Sequence, residues 1–238
     1  KKRLEQVNRY KLQYQRVPIE EQNLSINNNI ISIKYIKNKI NAYNIDPYQI
    51  IKNSENKDDF LSNYSHTIAL YRIGKYDAAI KKLKIIQNEF NEYPFFYELK
   101  GDFHFKKGEF SNAKIEYEKT IKALQEVFTP SIDLIKFSLV KTYLQTNNKT
   151  DLKKSIIVLE ELLSNNPKWS YLWRLLAKSS GKLGNKGISY IALAEESLIK
   201  KNFIKAKKYV DLANKQVSLP SFYKLRGEDI LARIRISK

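Results

Sequence analysis

Cysteine is absent from this 238-residue chain, which excludes disulfides, thiolate nucleophiles and Cys-ligated zinc. Histidine is nearly absent: His66 and His104 are the only two, and neither has a second histidine one helical turn away with a glutamate beside it, as an H-E-x-x-H zinc site requires. His104 reads as a packed core histidine. No G-x-S-x-G, phosphate-binding loop or dinucleotide-binding glycine series occurs. Gly181, Gly184 and Gly187 follow no strand and read as turn residues. The carboxylate pairs Glu160-Glu161 and Glu195-Glu196 sit on Lys-rich segments; neighbours on a helix point about 100° apart, so the expectation is a solvated face rather than a shared substrate. Apolar runs stay far below the roughly 20 residues that cross a bilayer, so no membrane-spanning segment is expected. No catalytic residue, no metal ligand and no cofactor is therefore expected in this chain. Methionine is also absent, which is unusual for a helical chain of this size; either the composition is biased or methionine positions have been lost. Lys1 is not an initiator and opens no signal-peptide pattern, so the chain is expected to be a piece of something longer.

Negative charge is also scarce. Lys and Arg number 43 against 25 Asp and Glu, a formal net charge of +18. That excess admits nucleic acid or anionic lipid as a partner. Against it, Lys, Asn and Ile are abundant throughout, the basic runs are short, and no basic helix interleaved with aromatics occurs. The preferred reading has no nucleic-acid partner.

The few glycines carry the organisation. Gly74, Tyr76, Ala79 and Leu83 recur 34 residues later as Gly108, Phe110, Ala113 and Tyr117. Period and residue classes are those of the tetratricopeptide repeat, two antiparallel helices meeting at a glycine turn. Gly74 and Gly108 fall where a first helix ends in a left-handed residue. Tyr76 and Phe110 open the second helix, and Ala79 and Ala113 sit at the crossing, where a larger side chain would force the helices apart. Gly101 takes the small place seven residues before Gly108. Further on, Trp173, Leu176 and Ala177 occupy the large-large-small places of a first helix with Gly184 at its turn, and Phe203, Ala206 and Val210 repeat the opening of a second. The fold class is all-α: a tetratricopeptide-like helical-hairpin solenoid of roughly four helix pairs, with N-terminal helices and a C-terminal capping helix.

Residues 1–53 read as an N-terminal helical segment and 54–238 as the repeat domain. Ile26, Ile30, Ile33, Ile36 and Ile40 form a stripe on a helix expected over Ile19 to Ile45, and Asp46-Pro47 stops or restarts it. Pro94 starts the second repeat. Ile132 to Leu144 and Leu152 to Leu163 are the next two helices, with Gln145 to Asp151 as a connection longer than the glycine turns. Pro220 starts a final helix whose Leu225, Ile230, Leu231 and Ile234 would close the stack.

In such stacks the first helices line a groove. The phase set by Gly74 and Gly108 places Tyr64, Ile68, Tyr71 and Arg72 there, followed by Phe95, Glu98, Asp102, Phe105 and Lys106. Aromatics rimmed by charge suit an extended peptide or a partner helix. The competing reading is that the Ile19 to Ile45 helix lies in that groove.

The stretches Pro167 to Asn185 (P-K-W-S-Y-L-W-R-L-L-A-K-S-S-G-K-L-G-N) and Ala192 to Val210 (A-L-A-E-E-S-L-I-K-K-N-F-I-K-A-K-K-Y-V) resemble the C-terminal repeat region of bacterial periplasmic zinc metallopeptidases of the HtpX/BepA class. Tyr93 to Phe110 is similar to the corresponding repeat of alphaproteobacterial members, and Lys1 to Val7 to the segment that closes their catalytic domain. The resemblance implies a non-catalytic repeat domain behind a zinc peptidase domain, in the periplasm, recruiting or positioning protein substrates. It implies zinc in the full-length protein, on an H-E-x-x-H upstream of Lys1; no position here matches that motif. A free-standing adaptor without a peptidase is the alternative, and a basic solenoid for nucleic acid or anionic lipid a lesser one.

Overall fold

The computed structural model describes residues 37–57, 59–89, 94–125 and 132–236. These residues form twelve helices and no strand. We number them α1 (37–44), α2 (Pro47–Ser54), α3 (Phe60–Arg72), α4 (Tyr76–Glu89), α5 (Pro94–Lys107), α6 (Phe110–Gln125), α7 (Ile132–Thr146), α8 (Lys149–Asn165), α9 (Ser170–Lys182), α10 (Lys186–Ile199), α11 (Phe203–Asn214) and α12 (Ser221–Ile236). The isoleucine stripe from 26 to 36 lies outside the described residues. Two compact units divide the chain, Lys1–Asn91 and Glu92–Lys238. The boundary expected at 53/54 falls within the first unit, where α2 packs on α3.

In the first unit, acidic side chains start the helices. Asp46 accepts from the Gln49 amide at 3.0 Å, and Asp59 from the Ser62 amide at 3.0 Å. Each satisfies an amide with no partner inside its helix. Gly74 has φ of +80°, and the Lys75 amide reaches back to the Leu70 carbonyl at 2.9 Å. This six-to-one hydrogen bond closes α3 and reverses the chain into α4. Between those helices Ala69, Ala79 and Leu83 are wholly buried.

The second unit repeats the device. Gly108 has φ of +79° and Gly184 of +82°, with the Glu109 amide bonded to the His104 carbonyl and the Asn185 amide to the Ser180 carbonyl, each at 2.9 Å. At Gly101 an added Cβ would lie 2.8 Å from Cε1 of Tyr117, so the missing side chain is what lets that ring lie on α5. Beyond α9 the interval shortens. Lys201, 17 residues after Gly184, adopts φ of +58°, and the Asn202 amide bonds the Ser197 carbonyl at 2.8 Å. Consequently α10 is the second helix of one hairpin and the first of the next. Gly187 and Gly181 lie inside helices rather than in turns; at Gly187 a Cβ would be 2.9 Å from Leu219 Cδ1.

The long connection expected at 145–151 is not there. Helix α7 runs to Thr146 and α8 starts at Lys149. Asn147, at φ of +56°, takes the left-handed place that glycine holds elsewhere, and Asn148 caps α8 by accepting from the Asp151 amide at 2.8 Å. Asparagine tolerates this conformation better than most residues, so the turn is as tight as the others without a glycine to announce it.

Helix α12 packs against both α10 and α11. Ile230 and Ile234 are buried and Leu231 is half-buried, as expected of a closing helix, but Leu225 faces solvent at 65% exposure. The same packing overturns the solvated-face reading of Glu195 and Glu196, which are only 2% and 6% exposed. Glu195 accepts from Arg226 of α12 at 2.8 Å, and Glu196 from Arg174 of α9 at 2.8 Å and from Lys200 at 2.5 Å. Burial would raise the Glu196 carboxyl, but its bonds to Arg174 and Lys200 hold it below the ordinary glutamate value.

Candidate functional site

The described residues hold no group of three or more His, Cys, Asp or Glu able to ligate a metal. His66 lies 2.9 Å from Ser54 Oγ and joins α3 to α2. His104 is not the core histidine expected: its Nδ1 lies 2.6 Å from Glu109 Oε2 across the hairpin turn. Lys107 and His104 together pull the Glu109 carboxyl down to about 2. Both histidines therefore act within the scaffold. No described helix is long and apolar enough to cross a membrane.

The first-helix face differs between the two units. In the first, Tyr64 and Ile68, expected in the groove, are 1% and 0% exposed and belong to the core. The reason is rotational: α3 carries helices on two sides, α2 and α4, so residues one turn apart on its middle stretch are covered. Tyr71 is half-buried and packs its ring 5.8 Å from that of Tyr76. Arg72 donates from Nη1 to the carbonyl of Ala42 at 2.8 Å and to that of Ile45. Asn38 donates to the Leu61 carbonyl at 2.8 Å and accepts from Ser65 at 3.0 Å. Helix α1 thus lies on α3, and Arg72 satisfies carbonyls at its C-terminal end that no helical amide reaches.

In the second unit Phe95 and Phe105 rest half-buried on the core cluster of Tyr117, Ile135 and Leu139. Glu98 and Asp102 are half-buried and Lys106 is exposed. Asp102 accepts from the Tyr117 hydroxyl at 2.6 Å, which ties α5 to α6. Phe105 opens a track that the sequence reading missed beyond α5. The Lys141 ammonium of α7 sits 5.7 Å from the Phe105 ring centre and 4.9 Å from that of Phe137. Phe137 in turn lies 5.0 Å from Trp169 and 5.9 Å from Tyr171 at the start of α9. The first helices α5 and α7 and the start of α9 therefore carry a row of rings, interrupted between Phe105 and Phe137 by the Lys141 ammonium. Burial lowers the Lys141 ammonium below the ordinary lysine value; the nearby Asp102 opposes this and Lys106 adds to it. The signal that could have found Phe137 and Lys141 was their place on a first helix, but the 34-residue offset fails between Gly108 and Asn147 and hides the equivalence.

The repeat-defining residues stand where hairpin packing puts them: Ala113 and Ala206 are wholly buried, Trp173 and Ala177 nearly so, and Phe203 is half-buried against the core. No family model matches the sequence, and no curated protein matches it. Among solved structures the chain is similar to a thermophilic TPR protein from Thermus thermophilus, at 18% identity and a TM-score of 0.42, over 73% of this chain and 100% of that one. It is also similar to a tetratricopeptide repeat protein from Parabacteroides merdae, at 13% identity and a TM-score of 0.38, over 83% of this chain and 99% of that one. The hairpins themselves, with left-handed turns and small residues at the crossings, make this an all-α, tetratricopeptide-like repeat fold.

Proposed function

We propose that this chain is a non-catalytic protein-interaction module whose docking face is the ring track of α5, α7 and α9. One observation supports this above the others: Phe137, Trp169 and Tyr171 are in ring contact, Lys141 links them to Phe105, and Tyr171 still exposes 43% of its surface. Half-buried aromatics that are already held by the core give contact area to a partner at little cost in side-chain order. A peptide array tests it. Wild-type protein should select peptides sharing a pattern, Phe137→Ala should lose them, and Ile157→Ala on α8, which removes a residue 66% exposed on a second helix, should not. Selection that ignores Phe137 overturns the reading.

The finer proposal is that the module recruits or positions substrates for a periplasmic zinc metallopeptidase, with zinc and catalysis in an upstream domain. Its support is the resemblance of Pro167 to Asn185 and Ala192 to Val210 to that family. A free-standing adaptor fits the same helices equally well. The encoding gene decides: an H-E-x-x-H a domain's length before Lys1 supports the peptidase, and its absence leaves the adaptor.

A further inference from the structure

Resting on that reading of the face, we propose that the partner segment is acidic and apolar together, with a carboxylate set on Lys141 and apolar side chains on the rings to either side. The Lys141 ammonium is flanked by Phe105 and Phe137 and has no carboxylate within ion-pair distance among the described residues. A half-buried cation between two ring faces has lost water, and Asp102, although near enough to favour its charge, makes no ion pair with it, so a carboxylate arriving with apolar neighbours supplies the direct contact it lacks. The rim carries the same sign. Lys106 on α5 and Lys178 on α9 are exposed and make no ion pair among the described residues. The carboxylates of α5 on this side are engaged: Asp102 accepts from the Tyr117 hydroxyl at 2.6 Å, and Glu98 is half-buried with a partner of its own.

This arrangement disfavours two other occupants. A second copy of a chain with net charge +18 brings like charge to the strip. Single-stranded nucleic acid needs a run of open ring faces on which successive bases stack, whereas of the rings Phe105, Phe137, Trp169 and Tyr171 only Tyr171 is exposed and the other three are half-buried.

The test uses the full chain and three labelled, end-blocked peptides of the pattern Phe-Glu-Glu-Leu repeated twice, with Glu throughout or replaced throughout by Gln or by Lys, followed by fluorescence anisotropy. The Glu peptide should bind about tenfold more tightly than its Gln counterpart, the size of one charge-assisted contact, and the advantage should shrink as salt rises. Lys141→Met should remove most of that advantage and Lys141→Arg retain it, with unchanged melting temperatures showing that the fold is intact. Equal binding of Glu and Gln peptides that is lost in Phe137→Ala overturns the carboxylate and leaves the docking face standing. Binding of none of the peptides, or binding untouched by Phe137→Ala, overturns both. Tighter binding of the Lys peptide or of a single-stranded oligonucleotide, or dimerisation abolished by Phe137→Ala, overturns the acidic partner.

Discussion

At the scale of single residues, two positions show opposite uses of a missing or misplaced side chain. Gly101 is needed for space: a methyl there would sit 2.8 and 2.9 Å from two carbons of the Tyr117 ring. Gly101→Ala should therefore lower stability by about 1–3 kcal/mol, as overpacking does, and Tyr117→Leu in the same chain should recover part of it. An unchanged melting temperature in the single variant would contradict the contact. Lys201 is the converse case, a residue with a Cβ at φ of +58°. Left-handed backbone costs a non-glycine residue about 1–2 kcal/mol, so Lys201→Gly should raise the melting temperature, whereas the same change at the exposed, ordinary-helix position Lys205 should lower it. A fall at both would show that the turn tolerates lysine without strain.

At the scale of elements, buried ion pairs and carbonyl caps fix helices that apolar patterning leaves loosely oriented. Glu196 on α10 draws Arg174 of α9 to it, and its carboxyl is held below its ordinary value of 4.5. Because the folded state lowers this group's proton affinity, its contribution to stability is present above the unfolded value and disappears as pH falls through the folded one. Glu196→Gln should melt at a lower temperature at pH 7, and the gap between variant and wild type should close as the pH is taken well below 4.5. A gap that persists unchanged in acid would mean that shape rather than charge is lost. In the first unit, Arg72 holds α1 by two carbonyls. Arg72→Ala should accelerate amide exchange over residues 37–45 and leave α9 and α10 unchanged; uniform exchange would show that α1 is held by its apolar side alone.

At the scale of the whole molecule, a net charge of +18 and the lack of any metal-binding cluster among the described residues bear on what the chain does alone. The purified protein should contain no stoichiometric zinc by elemental analysis. Stoichiometric zinc would require ligands outside the described residues. Generic duplex DNA should not bind at physiological salt, because that affinity needs many simultaneous phosphate contacts; tight binding that falls steeply with salt would show the lysines acting as one surface.

Much of the fold was legible in the order of residues because hairpin turns make local demands. Gly74, Gly108 and Gly184 stand at left-handed positions, and Ala79 and Ala113 at crossings that allow no side-chain exposure at all. Such constraints act over a few residues and leave their mark on residue type. The turn at Asn147 was hidden because asparagine meets the same demand without being required by it. The candidate site was only half legible: Phe105 and Lys106 could be placed by phase, but Tyr64 and Ile68 share that phase and lie in the core. Which face of a helix stays open depends on how many neighbours it has, and Glu195, Glu196 and Lys141 acquired their roles from side chains on other helices. Local conformation belongs to the sequence by itself; burial, ion pairing and the row of rings are sums over distant segments, and only the tertiary structure performs that sum.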